Sequence, residues 1–137
     1  MAVPEATLAV LRDKSAATRI AVIGATNNPR KYGNIIARNL HRRGYMVLPV
    51  NPNEPDVAGL PAWPTVTDIG NPVHIANFVV PPAVVLQVLA GLDPQQVGVV
   101  WFQDGSFDAR VVQAAEARFG RERVVAGDCI MVVAGWA

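Results

Sequence analysis

The run Ile20-Ala21-Val22-Ile23-Gly24-Ala25-Thr26-Asn27-Asn28-Pro29 decides how this chain is read. An apolar stretch rich in β-branched residues, stopped by a glycine, predicts a buried strand, Ile20 to Gly24. The polar turn after it leads into a helix starting near Lys31 to Asn34. Such a turn leaves backbone N–H groups unpaired at a helix N-terminus, where a phosphate docks. The spacing is not G-x-G-x-x-G, because the glycine after Gly24 is Gly33, so the ordinary dinucleotide fingerprint is missing.

Working outward, Leu8 and Leu11 at helical spacing predict a short N-terminal helix over Pro4 to Asp13, with residues 1–17 forming that helix and a link. Ile35, Ile36, Ala37 and Leu40 give the helix after the turn an apolar face, and Gly44 suits its exit. Tyr45 to Val50 is the second strand, ended by Asn51-Pro52. Residues 53–71, rich in proline, glycine and acids, read as an irregular connection with Asp68-Ile69 in one short turn. His74 to Val80 is the third strand, and Pro81-Pro82 open a helix through Ala90. Val97 to Phe102 is the fourth strand. Ser106 is placed to cap a helix from Phe107 to Phe119, with Asp108 in its first turn. Arg123 to Ala126 is the fifth strand, and Cys129 to Val133 a terminal apolar run.

Continuously apolar strands alternating with helices predict an α/β fold: a doubly wound, Rossmann-like parallel sheet of five strands covered on both faces, in the order 3-2-1-4-5. The 137 residues are expected to make one domain, with enough chain for a core that needs no disulfide or metal. A formal net charge of +1 offers no electrostatic case for nucleic acid or a membrane surface. No apolar run approaches the roughly 20 residues that span a bilayer. Residues Met1 to Lys14 make a poor signal peptide, and the lone Cys129 fits a reducing compartment, so a cytoplasmic location is expected.

In such a sheet, ligands bind beyond the carboxyl ends of the strands. That singles out Gly24 to Pro29, Asn51-Pro52, Val80-Pro81-Pro82, Gln103-Asp104-Gly105 and Gly127-Asp128-Cys129. The second strand of an NAD-binding domain ends in an acid that pairs with the ribose hydroxyls. Asn51 is neutral, and with Arg30 and Lys31 nearby the site favours an extra phosphate. Val79-Val80-Pro81-Pro82 offers an apolar wall for a flat ring. Cys129 is the one strong nucleophile candidate, and no His–Cys pair, Ser–His–Asp set, metal-ligand spacing or phosphate-loop lysine motif accompanies it.

Five elements in order carry a resemblance: Ala21-Val22-Ile23-Gly24-Ala25, Gly44-Tyr45-x-Val47-x-Pro49-Val50-Asn51-Pro52, Phe78-x-x-Pro81-Pro82, Val100-Trp101-x-Gln103-x-Gly105 and Val125-x-x-x-Cys129-Ile130-Met131. Together they resemble the small stand-alone CoA-binding proteins, similar in fold to the CoA-binding domain of succinyl-CoA synthetase α subunits. The resemblance implies that coenzyme A or acyl-CoA is the ligand. It implies that Gly24, Ala25 and Thr26, with Lys31, Tyr32, Gly33 and Asn34, hold the pyrophosphate. Asn51 and Pro52 then lie near the adenosine and its 3′-phosphate, and Val80, Pro81 and Pro82 against the nucleotide. Gln103 and Gly105 approach the pantetheine. Asp128 stands where this family often has an arginine before the final cysteine, and an acid there repels phosphate.

The leading expectation is therefore a module that binds CoA without transforming it. Two alternatives stay open: thiol or acyl chemistry on CoA through Cys129, and an NAD(P)-binding regulatory domain. A homodimer or a partner protein, with Trp136 as a contact residue, is a further possibility that the sequence leaves undecided.

Overall fold

A computed structural model describes residues 3–136, except the side chain of Trp136, so the contact expected there lies outside the described residues. Helix α1 (Glu5–Arg12) precedes strand β1 (Arg19–Ile23), helix α2 (Tyr32–Arg42) and strand β2 (Met46–Val50). A small hairpin of β3 (Asp56–Val57) and β4 (Leu60–Pro61) and a one-turn helix α3 (Val66–Ile69) follow. Then come β5 (Val73–Phe78), α4 (Pro82–Gly91), β6 (Val97–Phe102), α5 (Ala109–Phe119), β7 (Val124–Ala126) and α6 (Ile130–Trp136).

The main sheet is parallel and five-stranded, in the order β2-β1-β5-β6-β7. The expected α/β class, parallel sheet and two-sided cover are all present. The expected order 3-2-1-4-5 is not. The third long strand, β5, lies between β1 and β6, so the five strands counted along the chain run 2-1-3-4-5.

The reason sits in the segment after β2. Instead of a full crossover to an outer strand, it makes the hairpin and one turn of helix, and among the described residues it pairs with the sheet edge only at Trp63, which bridges Val50 in parallel. Trp63 N donates to Pro49 O and Asn51 N to Trp63 O, both at 2.9 Å. Pro49 has no N–H for a longer outer strand to use. Counted as a strand, this single bridge would restore the order 3-2-1-4-5 with one more strand at the end.

Successive residues of each strand feed opposite layers. Ala21, Ile23, Ala76, Phe78, Val100 and Phe102 pack against α3, α4 and α5 through Val66, Val85, Leu89, Val111 and Phe119. Ile20, Val22, Ile75 and Trp101 pack against Leu11 of α1, Ile36 and Leu40 of α2, and Ile130 and Val133 of α6. The terminal apolar run thus begins a helix that covers the second face. Helix α5 starts two residues later than expected, and its cap is Asp108, whose Oδ1 accepts from Val111 N at 3.0 Å. Ser106 is buried and its hydroxyl donates to Gln103 O, so it closes the strand-end turn instead.

Two measurements test this account. Phe78 is fully buried with its ring centroid 5.1 Å from that of Phe102, so Phe78→Ala should cost about 3–5 kcal/mol in urea denaturation. The bond from the Val111 amide, then Arg110, holds the Asp108 carboxyl below its usual value of 3.8. A depressed carboxylate stabilises the fold above the unfolded value and stops doing so as pH falls through the folded one. Asp108→Ala should therefore lower the melting temperature at neutral pH, with the gap to wild type closing as the pH drops below about 4.

Candidate functional site

The turn after β1 is shaped by two glycines that touch. Gly24 has φ of 100°, and a Cβ there would lie 2.7 Å from Val80 Cγ1. A Cβ on Gly33, in the first turn of α2, would lie 2.1 Å from Gly24 O. The helix start can press on the turn only because Gly33 lacks a side chain, and Val80 can approach the turn so closely only because Gly24 does. Gly33 thus provides close helix–turn packing at a spacing that the ordinary fingerprint does not describe.

Side-chain amides then hold the turn from behind. Asn51 Nδ2 donates to Ala25 O at 2.8 Å, and Asn34 Nδ2 donates to Thr26 O at 2.9 Å. In a trans peptide the N–H points opposite to the carbonyl, so the amides of Thr26 and Asn27 point away from these two staples. Neither they nor the amides of Tyr32 and Gly33 meet an acceptor among the described residues. Helix α2 has no side-chain cap and no acid in its first turn. The result is a cluster of free donors at the positive end of a helix dipole.

Charge around it has the matching sign. Most arginines elsewhere are tied down: Arg123 donates to the carbonyls of Gly98 and Pro94, Arg19 to that of Pro72, and Arg38 to Asn34 Oδ1. The side chains of Arg30 and Lys31 have no partner among the described residues, and both line the cavity in front of the turn.

Two cavities of about 630 Å³ each meet at Gly24, Asn51 and Val80. The first, in front of the turn, is walled by Ala25, Thr26, Lys31, Tyr32 and Gly33, and across from them by Pro81 and Gly105. The second runs along α4 and is apolar, with Ile23, Val50, Val66 and Val88 facing it and Pro52 at its mouth. The contrast follows from the two helices: the start of α2 lines the first cavity, whereas Val84 and Val88 of α4 line the second. Helix α2 opens with free amides, whereas α4 opens on Pro81-Pro82, which have none to offer.

Most of the expected site residues come together at these cavities, but four do not line them. Pro82 begins α4 behind Pro81. Asn34 is buried as a staple, its Oδ1 accepting from Arg38 Nε at 2.6 Å. Gln103 is only 7% exposed, and Cys129 is half-buried at the start of α6. Asn51 has its amide committed twice, since Oδ1 also accepts from Asn53 N at 2.8 Å.

Sequence reasoning placed Asn27 in the candidate turn without a role; its side chain reaches the carbonyl of Asp56 and the amide of Ala58 and so ties the β3–β4 hairpin to the turn. It also missed Asn77, fully buried in β5, whose only visible signal was a polar residue in an apolar strand. The histidines stand apart: His74 Nδ1 accepts from Arg19 N at 3.0 Å at the start of the sheet. Among the described residues no group of His, Cys, Asp and Glu is arranged to hold a metal ion, and no helix is long and apolar enough to cross a membrane.

Residues 18–135 match the family model described as the CoA binding domain. The chain belongs to the CoA-binding domain family. A curated relative is the acetate–CoA ligase (ADP-forming) II subunit alpha of Pyrococcus furiosus, 44% identical over 71 residues. That match takes in 51% of this chain but only 16% of the ligase subunit. Among solved structures, a conserved hypothetical protein from Pyrococcus furiosus is 38% identical with a TM-score of 0.73, covering 84% of this chain and 97% of that one. A protein from Thermus thermophilus is 31% identical with a TM-score of 0.79, covering 94% of each chain.

The glycine contact can be tested directly. Alanine is favoured over glycine inside a helix by up to about 1 kcal/mol. Gly33→Ala should nevertheless destabilise the protein in thermal and urea unfolding, because the atom it would strike is backbone on a stapled turn.

Proposed function

We propose that this protein binds coenzyme A or acyl-CoA, with the pyrophosphate against the turn Gly24–Asn27 and the first turn of α2. The observation that carries this reading is the stapled turn, whose free amides face a cavity holding two unpartnered cations. A dianionic group satisfies the donors and the charges together. The adenine fits the apolar cavity, where Val80, Val84 and Val88 present hydrocarbon to a flat ring. The 3′-phosphate then falls to Arg30 and Lys31, and the pantetheine runs over the ends of β5 and β6 toward Gly105 and Gln103. Each element of the cofactor meets its own chemistry in this arrangement: donors, cations, hydrocarbon, then polar strand ends.

Asn51 favours CoA over a nicotinamide dinucleotide. Its amide nitrogen is needed by Ala25 O, so an acid there would set a carboxylate against that carbonyl and loosen the turn. The ligase activity of the curated relatives is not carried over, since the match covers a small fraction of their length. The role proposed is holding the cofactor, in a single domain, and presenting it to whatever acts on it.

Isothermal calorimetry with CoA, acetyl-CoA and NAD decides the reading. CoA should bind clearly, and NAD should bind far more weakly or give no heat. Asn51→Asp should weaken CoA binding by roughly tenfold or more, through a lost hydrogen bond and an added negative charge. Replacing Arg30 and Lys31 by alanine should weaken it too and flatten its dependence on salt. Clear binding of NAD with none of CoA would overturn the proposal.

A further inference from the structure

Helix α4 turns one stripe toward the apolar cavity: Val84, Gln87, Val88 and Gly91, at spacings i, i+3, i+4 and i+7. The rest of that stripe is hydrocarbon or bare backbone. Gln87 breaks it, and it is the only polar side chain in Pro82–Gly91. It stands exposed at the cavity wall, and its carboxamide has no hydrogen-bond partner among the described residues. Other glutamines tie distant segments together: Gln96 Nε2 donates to Val66 O, and Gln103 Oε1 accepts from Ile130 N. Nothing among the described residues uses Gln87.

The polar groups around it are differently placed. Asn51 is committed at both ends, to Ala25 O and to Asn53 N. The Thr65 hydroxyl donates to Asp68 Oδ2 at 2.9 Å and accepts from Asp68 N at 3.2 Å, which caps α3. Asn53 and Thr67 are also without side-chain partners among the described residues. Only Gln87 is flanked on its own helix by hydrocarbon on which a flat ring can lie, from Val84 and Val88.

Distance fits as well. Val80, just before the helix, is shared by both cavities. From Pro82 to Gln87 the helix then rises ~8 Å. A nucleotide with its phosphates at the turn after β1 passes Val80 with its sugar and meets Gln87 with its base. A carboxamide offers a donor and an acceptor side by side. Adenine answers with the complementary pair, its N6 amino group next to the acceptor N1 or N7, and a glutamine binds such an edge through two hydrogen bonds.

Resting on the CoA reading above, we propose that Gln87 is a specificity-determining residue that reads the amino edge of adenine. Its Oε1 accepts from N6, and its Nε2 donates to the neighbouring ring nitrogen. The ring itself lies against Val84 and Val88, so α4 supplies both the hydrocarbon and the polar contact. The apolar cavity thus takes a base with a free amino edge, and not any flat ring of the same size.

The test is calorimetry of wild type and Gln87→Leu, each with CoA and with 1,N6-etheno-CoA, in which a two-carbon bridge closes off N1 and the amino group. Leucine keeps the bulk and the helix preference, so the melting temperature should not change. Wild type should bind CoA ~10-fold more tightly than the etheno analogue. The variant should bind CoA about 10-fold more weakly than wild type does, and should bind the two ligands equally. A gap that persists in the variant would mean that bulk, not Gln87, excludes the analogue, and the proposal would fall. Equal affinity of wild type for both ligands would overturn it too, while leaving the CoA reading in place. If wild type binds neither ligand, the reading beneath it is wrong as well.

Discussion

The structure depends on how closely helix α2 approaches the turn that follows β1. Gly33 rests on the carbonyl of Gly24, and the distance available there would not admit one methyl group. This contact fixes where the helix axis begins, and so where its free amides point. It also explains why two asparagines are needed behind the turn. With the helix so close, the carbonyls of Ala25 and Thr26 are turned away from solvent and require donors of their own. Asn51 and Asn34 supply them from β2 and α2, so the sheet edge, the helix and the turn are locked as one unit.

Much of this was legible in the sequence because the relevant signals are local. The apolar run ending at Gly24, the proline pair at the start of α4 and the continuous apolar strands each predict their own element. The strand order was not local. It depended on whether residues 53–71 return to the sheet edge as a strand, and that is set by Pro49 and by one bridge at Trp63. Neither leaves a periodic trace. The candidate site divides in the same way. Residues of the first turn could be named in advance, whereas the roles of Asn34 and Asn51 as staples depend on partners eight and twenty-six residues away. The cap of α5 was misplaced for a simpler reason. Ser106 and Asp108 are both good capping residues, and the turn at Gln103 claimed the serine.

The two sides of the cleft show how one fold separates unlike parts of a ligand. Helix starts face it from both sides of the switch point, yet only one is preceded by residues that leave amides free. The other begins with prolines and continues as a helix with no charged residue from Pro82 to Gly91. Polarity along the cleft is thus written in the first residues of α2 and in the apolar face of α4, not in catalytic side chains. This is why a chain with so few candidate catalytic groups can still have a well-defined site.

The missing N–H of Pro49 has a consequence outside the cleft. A parallel sheet with a bare outer strand is a template on which a second chain can lay down a strand of its own. Here the outer edge of β2 offers no donor at its centre, and Trp63 already occupies the acceptor beside it. The opposite edge is β7, three residues long. Both margins of the sheet are therefore poor places for another strand to add.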